Sequence, residues 1–219
     1  MKILINGFGS KLHRWWPSPY LGALFSPSAG NSTKPIVQNS IPWAADNDCF
    51  TGFNEQKYRK MLIKLVNHPG CLFVTAPDKV KDGKETLSLF EVWQPVLKAH
   101  HLPVALVAQD GMSPSDIEWR EIDWIFIGGS TEFKVGKDGK KIIERAKEEN
   151  KKVHMGRVST YERIKYCLES GVDTIDGTRF SWFDKKLLGA ALDQIHTFFG
   201  TERVACPYSE LTNGAVSNV

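Results

Sequence analysis

The sequence predicts a single α/β domain with the architecture of a TIM-type (β/α)8 barrel. From residue 41 onward, short apolar segments alternate with longer segments of helical periodicity. The short segments are apolar throughout, which is typical of strands buried on both faces of a parallel sheet. Repeated βα units of this kind form either a barrel or a doubly wound open sheet. The 219 residues suffice for one well-filled barrel core.

The apolar segments clearly mark six strands. These strands are predicted at 41–46, 71–75, 103–109, 123–129, 152–156 and 172–176. The segment KILIN at 2–6 could supply a seventh strand, and a complete barrel needs eight. We therefore expect a barrel that is reduced or irregular at its N-terminal strands.

Two segments show no clear periodicity. Residues 7–40 are rich in Ser, Pro, Gly and Asn and are interpreted as a long ordered loop excursion, whose aromatic residues need a surface to pack on. Residues 207–219 are interpreted as a frayed tail. The whole chain, 1–219, is then one domain.

Helices are predicted between the strands from apolar residues at three- and four-residue spacing. They span 54–68, 85–101, 134–150, 159–171 and 183–199. Ser159 and Glu162 have the spacing of a capping box that opens the fourth of these helices, and Gly171 is placed to close it.

Composition excludes some classes of protein and leaves others open. The formal charge of +3 permits a nucleic-acid partner without requiring one. No apolar run reaches the length of about 18 residues expected of a membrane span, and no secretory signal is evident at the N-terminus, so a cytoplasmic protein is expected. The four cysteines are scattered and form no zinc-binding pattern, so no metal site is predicted.

Polar residues and glycines follow every predicted strand, where the chemistry of parallel α/β folds lies. These strand ends carry Asp46, Asp78, Gln109-Asp110, Gly128-Gly129-Ser130, Met155-Gly156-Arg157 and Asp176-Gly177-Thr178-Arg179. One such end is ordinary turn chemistry, but six convergent ends predict a pocket. Crowded carboxylates would separate acid, base and nucleophile roles by shifting pKa values. Carboxylates, amides, glycines and an apolar methionine suit a purine-like base.

These strand ends together resemble the tRNA-guanine transglycosylases and their paralogues that insert 7-deazaguanines into DNA in phages and bacteria. GVDTIDGTR resembles the family's G-V-D-x-F-D-C-V-x-P-T-R segment, FIGG its I-G-G-L segment and HMGRVSTYERI its M-G-x-G-x-P-E-D-I segment. VAQDG resembles the V-Q-G-G strand end, APD matches the position of a guanine-reading aspartate, and AADNDCF resembles D-S-G-G-F. The resemblance covers residues 41 to 182.

The resemblance implies a role for each matching residue. It implies that Asp176 is the nucleophile and that Asp46 is the general acid or base. It places the base among Asp78, Gln109, Gly128, Gly129, Met155, Gly156 and Arg179. The family's C-x-C-x-x-C zinc site and the C-terminal region that carries it are missing, which fits the DNA-acting paralogues of phages better than the tRNA enzymes. In a phage protein the expected compartment is the host cytoplasm.

The reaction that the resemblance implies is base exchange through a covalent glycosyl-enzyme. Asp176 attacks the anomeric carbon of the target nucleotide, guanine leaves with the help of Asp46, and a 7-deazaguanine then displaces Asp176. The target base must leave the DNA stack first. The exchange needs no cofactor, because a double displacement of this kind is close to energy-neutral.

Candidate nucleic-acid contacts lie in two basic segments. In KLHRWWPSPY, Arg14 and Trp15 combine a cation with a stacking ring, but the tryptophans could instead plug one end of the barrel. In KVGKDGKK, Lys134 and Lys137 could face phosphates, as could Arg157 further on, or the lysines could form a solvated helix face.

Other interpretations stay open. The same chemistry could act on tRNA, or Gly128-Gly129-Ser130 could hold the phosphate of a small substrate in an aldolase or epimerase. A catalytically silent binding module is a further alternative. Asp173 and Asp176 are three residues apart and so face opposite sides of a strand, which leaves open which one points inward. His154 is interpreted as a satisfied core or pocket histidine.

Overall fold

Eight parallel strands close into a barrel in the computed structural model, which describes residues 1–6, 18–29, 32–182 and 185–201. The strands pair in sequence order, and β8 pairs back onto β1. They are β1 (Lys2–Asn6), β2 (Leu21–Phe25), β3 (Trp43–Ala45), β4 (Cys71–Thr75), β5 (Val104–Ala108), β6 (Trp124–Ile127), β7 (Lys152–Met155) and β8 (Thr174–Asp176). The prediction of a TIM-type (β/α)8 barrel is confirmed, and this barrel is complete rather than reduced.

Helices follow the strands along the chain. They are α1 (Lys34–Asn39), α2 (Glu55–Leu65), α3 (Gly83–Lys98), α4 (Thr131–Val135), α5 (Lys137–Glu148), α6 (Tyr161–Glu169), α7 (Thr178–Trp182) and α8 (Lys185–Phe199). Two short 3₁₀ turns, Pro114–Asp116 and Trp119–Glu121, lie between β5 and β6. None of the helices in the described ranges is both long enough and apolar enough to span a membrane.

The interpretation of residues 7–40 as a loop excursion is wrong for its second half. Residues 21–25 form the fully buried strand β2, and residues 34–39 form α1. Gly22 lets this strand pass close to its neighbours, because a Cβ there would lie 2.7 Å from the Leu4 side chain and 2.9 Å from the Pro42 carbonyl oxygen. Residues 7–17 and the predicted tail lie outside the described residues.

The predicted helix at 134–150 is two helices. The first, α4, ends at Val135, and α5 begins two residues later, so Gly136 caps both. A Cβ at Gly136 would lie 2.3 Å from the Glu132 carbonyl oxygen, so only glycine fits this bend without a shift. The break leaves Lys134 on the short first helix, α4, and Lys137 at the start of α5.

The end of α6 is confirmed as predicted, and its start is shifted by one residue. Thr160, not Ser159, is the N-cap, and its hydroxyl accepts from the Arg163 N–H at 3.3 Å. Gly171 follows the helix with φ of 72°, as a glycine that closes a helix does.

Two apolar layers hold the barrel. Side chains that point into the barrel form the smaller one, with Leu4, Leu24, Ala44, Phe73, Ala105 and Trp124. The larger layer lies between the strands and the helices around them. Because side chains alternate along a strand, the two layers take alternate residues of each strand, and this alternation decides which side chains reach the pocket at the carboxyl ends.

Candidate active site at the carboxyl ends of the strands

A pocket opens at the carboxyl ends of the strands. It encloses about 550 Å³, counting the part of its mouth that is open to solvent. Its lining comprises Leu24, Asp46, Asn47, Phe50, Asp78, Val80, Val107, Gln109, Phe126, Gly128, Gly129, Lys134, Gly156, Arg157 and Asp176. The convergence of strand ends that the sequence predicts is therefore present in the fold.

Asp176, the last residue of β8, lies in this pocket with its side chain 20% exposed. Its Oδ1 accepts from the Arg157 N–H at 3.2 Å and lies 3.1 Å from His154 Nε2. No described residue donates a hydrogen bond to the other oxygen, Oδ2. One carboxyl oxygen is thus fixed in place by the protein.

Asp173 takes no part in the pocket, which answers the question of which aspartate points inward. It precedes β8 at the other end of the barrel, where it pairs with Lys147 and lies 3.1 Å from Lys152 Nζ. Burial alone would raise its pKa, but the Lys147 hydrogen bond and others outweigh burial and lower it. Asp173 is a structural residue that joins α5, β7 and β8.

His154 supports Asp176 from inside the barrel, a role that sequence reasoning missed. The imidazole is fully buried, with Nδ1 2.8 Å from Thr174 Oγ1 and Nε2 3.1 Å from Asp176 Oδ1. Its ring packs against Phe126 and Phe73, with centroid separations of 4.4 and 5.1 Å. The interpretation of a satisfied buried histidine is confirmed, but one of its two partners is the pocket carboxyl group.

Asp46 lies immediately after β3 and differs from Asp176 in its electrostatic surroundings. Burial raises its pKa to about 7, and the negative charges of Asp176, Asp48 and Asp78 add to the effect. Near neutral pH this carboxyl group exchanges a proton readily, as a general acid or base must. The sequence could indicate this because crowded carboxylates at converging strand ends repel one another.

Asp78 is held by two amides. Its Oδ1 accepts from Asn47 Nδ2 at 2.8 Å, and its Oδ2 accepts from Gln109 Nε2 at 2.6 Å. Gln109 is itself fixed, since its Oε1 accepts from the Lys81 N–H at 2.9 Å. Burial raises the pKa of Asp78, and the two amide hydrogen bonds oppose that rise. The amides hold a carboxyl group in a defined orientation at the pocket wall.

Three glycines line the pocket, as predicted. A Cβ at Gly128 would lie 2.8 Å from Val107 and 2.9 Å from Gln109 Nε2, and a Cβ at Gly156 would lie 2.7 Å from the Phe126 ring. Gly129 adopts φ of 72°. At Gly128 and Gly156 the missing side chain lets neighbouring pocket residues pack closely.

Lys134 does not stand on a solvated helix face, and that interpretation of it is wrong, whereas its contact with a phosphate stays a prediction. Its side chain is 4% exposed and lines the pocket, and it lies on α4, the helix that follows β6. Nζ donates to the Gly156 carbonyl oxygen at 2.6 Å. Burial lowers its pKa to about 8, and the Arg157 guanidinium lowers it further.

Arg157 and Phe50 form one edge of the pocket mouth. The Arg157 guanidinium carbon lies 4.4 Å from the centroid of the Phe50 ring, and the guanidinium also donates to the Gly129 carbonyl oxygen. Phe50 is 62% exposed although it is a large apolar residue. Lys137 is exposed at the start of α5. These positions agree with ligand contact at the mouth and leave the prediction of nucleic-acid contact untested.

Two predicted base contacts are not in the pocket. Met155 points outward from β7 into the layer under α6, where its sulfur lies 3.4 Å from Cys167 Sγ. Strand alternation causes this, since the preceding His154 points inward. Arg179 is exposed on α7 and donates to the Ser159 carbonyl oxygen at 3.0 Å. Arg14 and Trp15 lie outside the described residues.

Asp110 serves a helix and does not line the pocket. Its Oδ2 accepts from the Ser130 N–H at 2.8 Å, and its Oδ1 accepts from the Ser130 hydroxyl. Burial acts to raise the pKa of Asp110, but the hydrogen bonds from Ser130 outweigh burial, and the pKa is lowered. The amide and the hydroxyl of Ser130, the N-cap of α4, are therefore already occupied by a carboxylate of the protein itself.

Among the described side chains, no group of three or more His, Cys, Asp or Glu residues is arranged to hold a metal ion. No protein-family model matches this chain, and no curated protein matches it in sequence. Fold and site alone define the class to which the protein belongs. It is a (β/α)8 barrel whose pocket joins an anchored carboxyl group, a second one with a raised pKa, and a buried lysine.

Proposed function

We propose that this protein is a guanine transglycosylase that exchanges guanine in DNA for a 7-deazaguanine. The observation that carries the proposal is the unequal treatment of two carboxyl groups in one pocket. Asp176 has one oxygen fixed by His154 and the Arg157 N–H, whereas the pKa of Asp46 is raised to about 7 by burial and by neighbouring carboxylates. Two carboxyl groups with separated roles suit displacement at an anomeric carbon.

In the first step Asp176 Oδ2 forms a bond to C1′ while the bond between C1′ and guanine N9 breaks. The electron pair goes to the departing base, which takes a proton from Asp46. In the second step Asp46 removes the N9 proton of the incoming 7-deazaguanine. N9 attacks C1′, the ester bond to Asp176 breaks, and two inversions give net retention.

The pocket wall supports recognition of a guanine-like edge. Guanine presents two N–H groups on its Watson–Crick edge, and a carboxylate oxygen keeps acceptor capacity after one hydrogen bond. The amides of Asn47 and Gln109 hold Asp78 in place for such an edge. Phe50, Phe126 and Val107 supply apolar surface for the ring faces. Guanine and 7-deazaguanines share this edge, so one pocket serves both halves of the exchange.

The pocket lies inside the rim of the barrel, so the target nucleotide must be extruded from the duplex to reach Asp176. Phe50, exposed at the mouth beside Arg157, offers a ring on which a base can stack. We therefore expect single-stranded or mismatched target sites to react faster than fully paired ones.

The alternative of a small-molecule enzyme with a phosphate on Gly128-Gly129-Ser130 is less well supported. The Asp110 carboxylate occupies the Ser130 N–H and hydroxyl, and a second anion there would meet repulsion. Exchange in tRNA uses the same chemistry and differs only in the polymer. DNA is preferred because the C-x-C-x-x-C zinc motif of the tRNA enzymes is missing from this sequence, and the experiment below separates the two polymers.

Nucleoside mass spectrometry tests the proposal. Purified protein is incubated with 7-cyano-7-deazaguanine and either DNA or tRNA, and the digested nucleosides are analysed. We expect a deazaguanine deoxynucleoside from DNA, its loss in Asp176→Asn, and its retention in Asp173→Asn, which changes an aspartate at the other end of the barrel. Modification of tRNA alone would move the proposal to the tRNA branch, and no exchange in either polymer with any 7-deazaguanine would overturn it.

A further inference from the structure

Lys134 is a buried cation that the proposed double displacement does not use. Its side chain is 4% exposed, lines the pocket, and lies on the short helix that follows β6. One of the three donors of its ammonium group is engaged, by the Gly156 carbonyl oxygen at 2.6 Å. Within the described part of the chain the other two donors have no acceptor, although the group is almost fully removed from water.

No carboxylate of the described residues forms an ion pair with Lys134. Its charged neighbours include two further cations, Arg157 and Arg163, and one acidic group, Asp176, which acts from a longer distance. Burial of a charge without a partner is costly, and such a charge is usually paired by something else. The Lys134 ammonium group lies at the pocket, where a bound molecule can supply the missing acceptor.

The position of Lys134 separates it from the carboxyl groups that suit the guanine edge. Lys134 bridges the ends of β6 and β7, whereas Asp46 and Asp78 follow β3 and β4, three positions away around the eight-stranded barrel. A flat base whose N–H edge meets Asp78 therefore directs a different edge toward Lys134. That edge is where a substituent distinguishes one 7-deazaguanine from another.

We propose that the Lys134 ammonium reads the 7-substituent of the incoming base. It selects a hydrogen-bond acceptor or an anion, such as a nitrile, carboxamide or carboxylate, and rejects a cationic aminomethyl group. This inference rests on the proposed function and adds the substrate class to it. The physical basis is charge complementarity, because a charge-assisted hydrogen bond rewards an acceptor and the local cations repel an ammonium.

Titration calorimetry with free bases and no nucleic acid tests the inference. The bases are 7-cyano-, 7-carboxy- and 7-aminomethyl-7-deazaguanine, bound to the unmodified chain, to Lys134→Met and to Lys140→Met. Methionine keeps most of the lysine's volume without its charge, and Lys140 is an exposed lysine paired with Glu144, so it serves as the matched control.

We expect the unmodified chain and Lys140→Met to bind the cyano and carboxy bases at least about tenfold more tightly than the aminomethyl base. In Lys134→Met the preference should shrink to within about twofold. Equal binding of all three bases by the unmodified chain would overturn the inference without any variant. So would a preference that survives unchanged in Lys134→Met.

These outcomes separate the inference from the function on which it rests. Exchange that proceeds with every 7-deazaguanine alike would leave the transglycosylase proposal standing and remove the role of Lys134. Absence of both base binding and exchange in the unmodified chain would overturn the two together.

Discussion

At the scale of single residues, position relative to a strand end decides how much can be predicted from sequence. Asp46, Asp78 and Asp176 could be assigned to one pocket because each follows a recognisable apolar strand. Asp173 could not be separated from Asp176 in this way, because the separation depends on where β8 begins. The strand starts at Thr174, so Asp173 remains at the opposite end of the barrel.

His154 and Lys134 could not be assigned from local sequence. His154 reaches Asp176 only because β7 and β8 are neighbours with His154 opposite Thr174. Lys134 lines the pocket on α4, the short helix that follows β6. A lysine-rich helical pattern normally indicates a solvated face, and the pattern alone does not show that the segment is divided into two helices at Gly136.

The raised pKa of Asp46 predicts a pH-dependent stability. Its pKa is 3.8 ordinarily and about 7 in the fold, so the folded state holds the proton more tightly and loses stability as pH rises from about 4 to 7. The penalty is complete above pH 7 and at most about 4 kcal/mol. Asp46→Asn should remove this penalty. In denaturant titrations the free energy of unfolding of the variant, relative to that of the unmodified chain, should therefore increase from pH 5 to pH 8. A difference that is constant across this range would contradict the assignment.

Replacement of His154 should slow exchange without preventing folding. In His154→Phe the new ring fits beside Phe73 and Phe126, and the Thr174 hydroxyl loses one partner at a cost of about 1–2 kcal/mol. Asp176 loses one of the two groups that fix its Oδ1, so we expect kcat to fall about 10- to 100-fold. KM for the incoming base should stay unchanged because the Asp78 contacts remain. His100→Phe, at an exposed histidine, is the matched control, and equal kcat in both variants would refute the positioning role.

At the scale of elements, sequence pattern located the later strands and missed β2. The segments that became β4 to β8 are apolar and followed by polar strand ends. The segment LGALF is just as buried, with all five residues inside, but it contains a glycine and lies among Ser, Pro and Asn residues. Composition on both sides of it indicated a loop, whereas its contacts with β1 and β3 decide its structure.

Gly22→Ala tests whether β2 is an element of the barrel. The added Cβ would meet the Leu4 side chain at 2.7 Å and the Pro42 carbonyl oxygen at 2.9 Å. Strand β2 would have to shift, and we expect the free energy of unfolding to fall by about 1–3 kcal/mol. Ser28→Ala changes an exposed side chain in the same segment and should alter it by less than about 0.5 kcal/mol. Thermal or urea unfolding measures both, and equal stabilities would place residues 21–25 outside the barrel.

At the scale of the whole molecule, closure of the barrel could not be predicted from the marked strands alone. Six strands and a candidate seventh are compatible with an open sheet. In the structure β2 supplies the eighth strand and β1 pairs with β8, and these two features close the barrel. Closure matters for function because it gathers all eight strand ends around one pocket. An acidic side then faces a cationic side, which is formed by Lys134 and Arg157. The formal net charge of +3 gave no sign of this division.

The most direct test of the proposed chemistry is capture of the covalent intermediate. The protein is incubated with a guanine-containing oligonucleotide in the absence of free base, denatured rapidly and examined by intact mass and peptide mapping. We expect a protein–DNA adduct through Asp176. It should form in the unmodified chain and in Asp173→Asn, and it should be missing in Asp176→Asn. An adduct on another residue, or base exchange by Asp176→Asn, would contradict it.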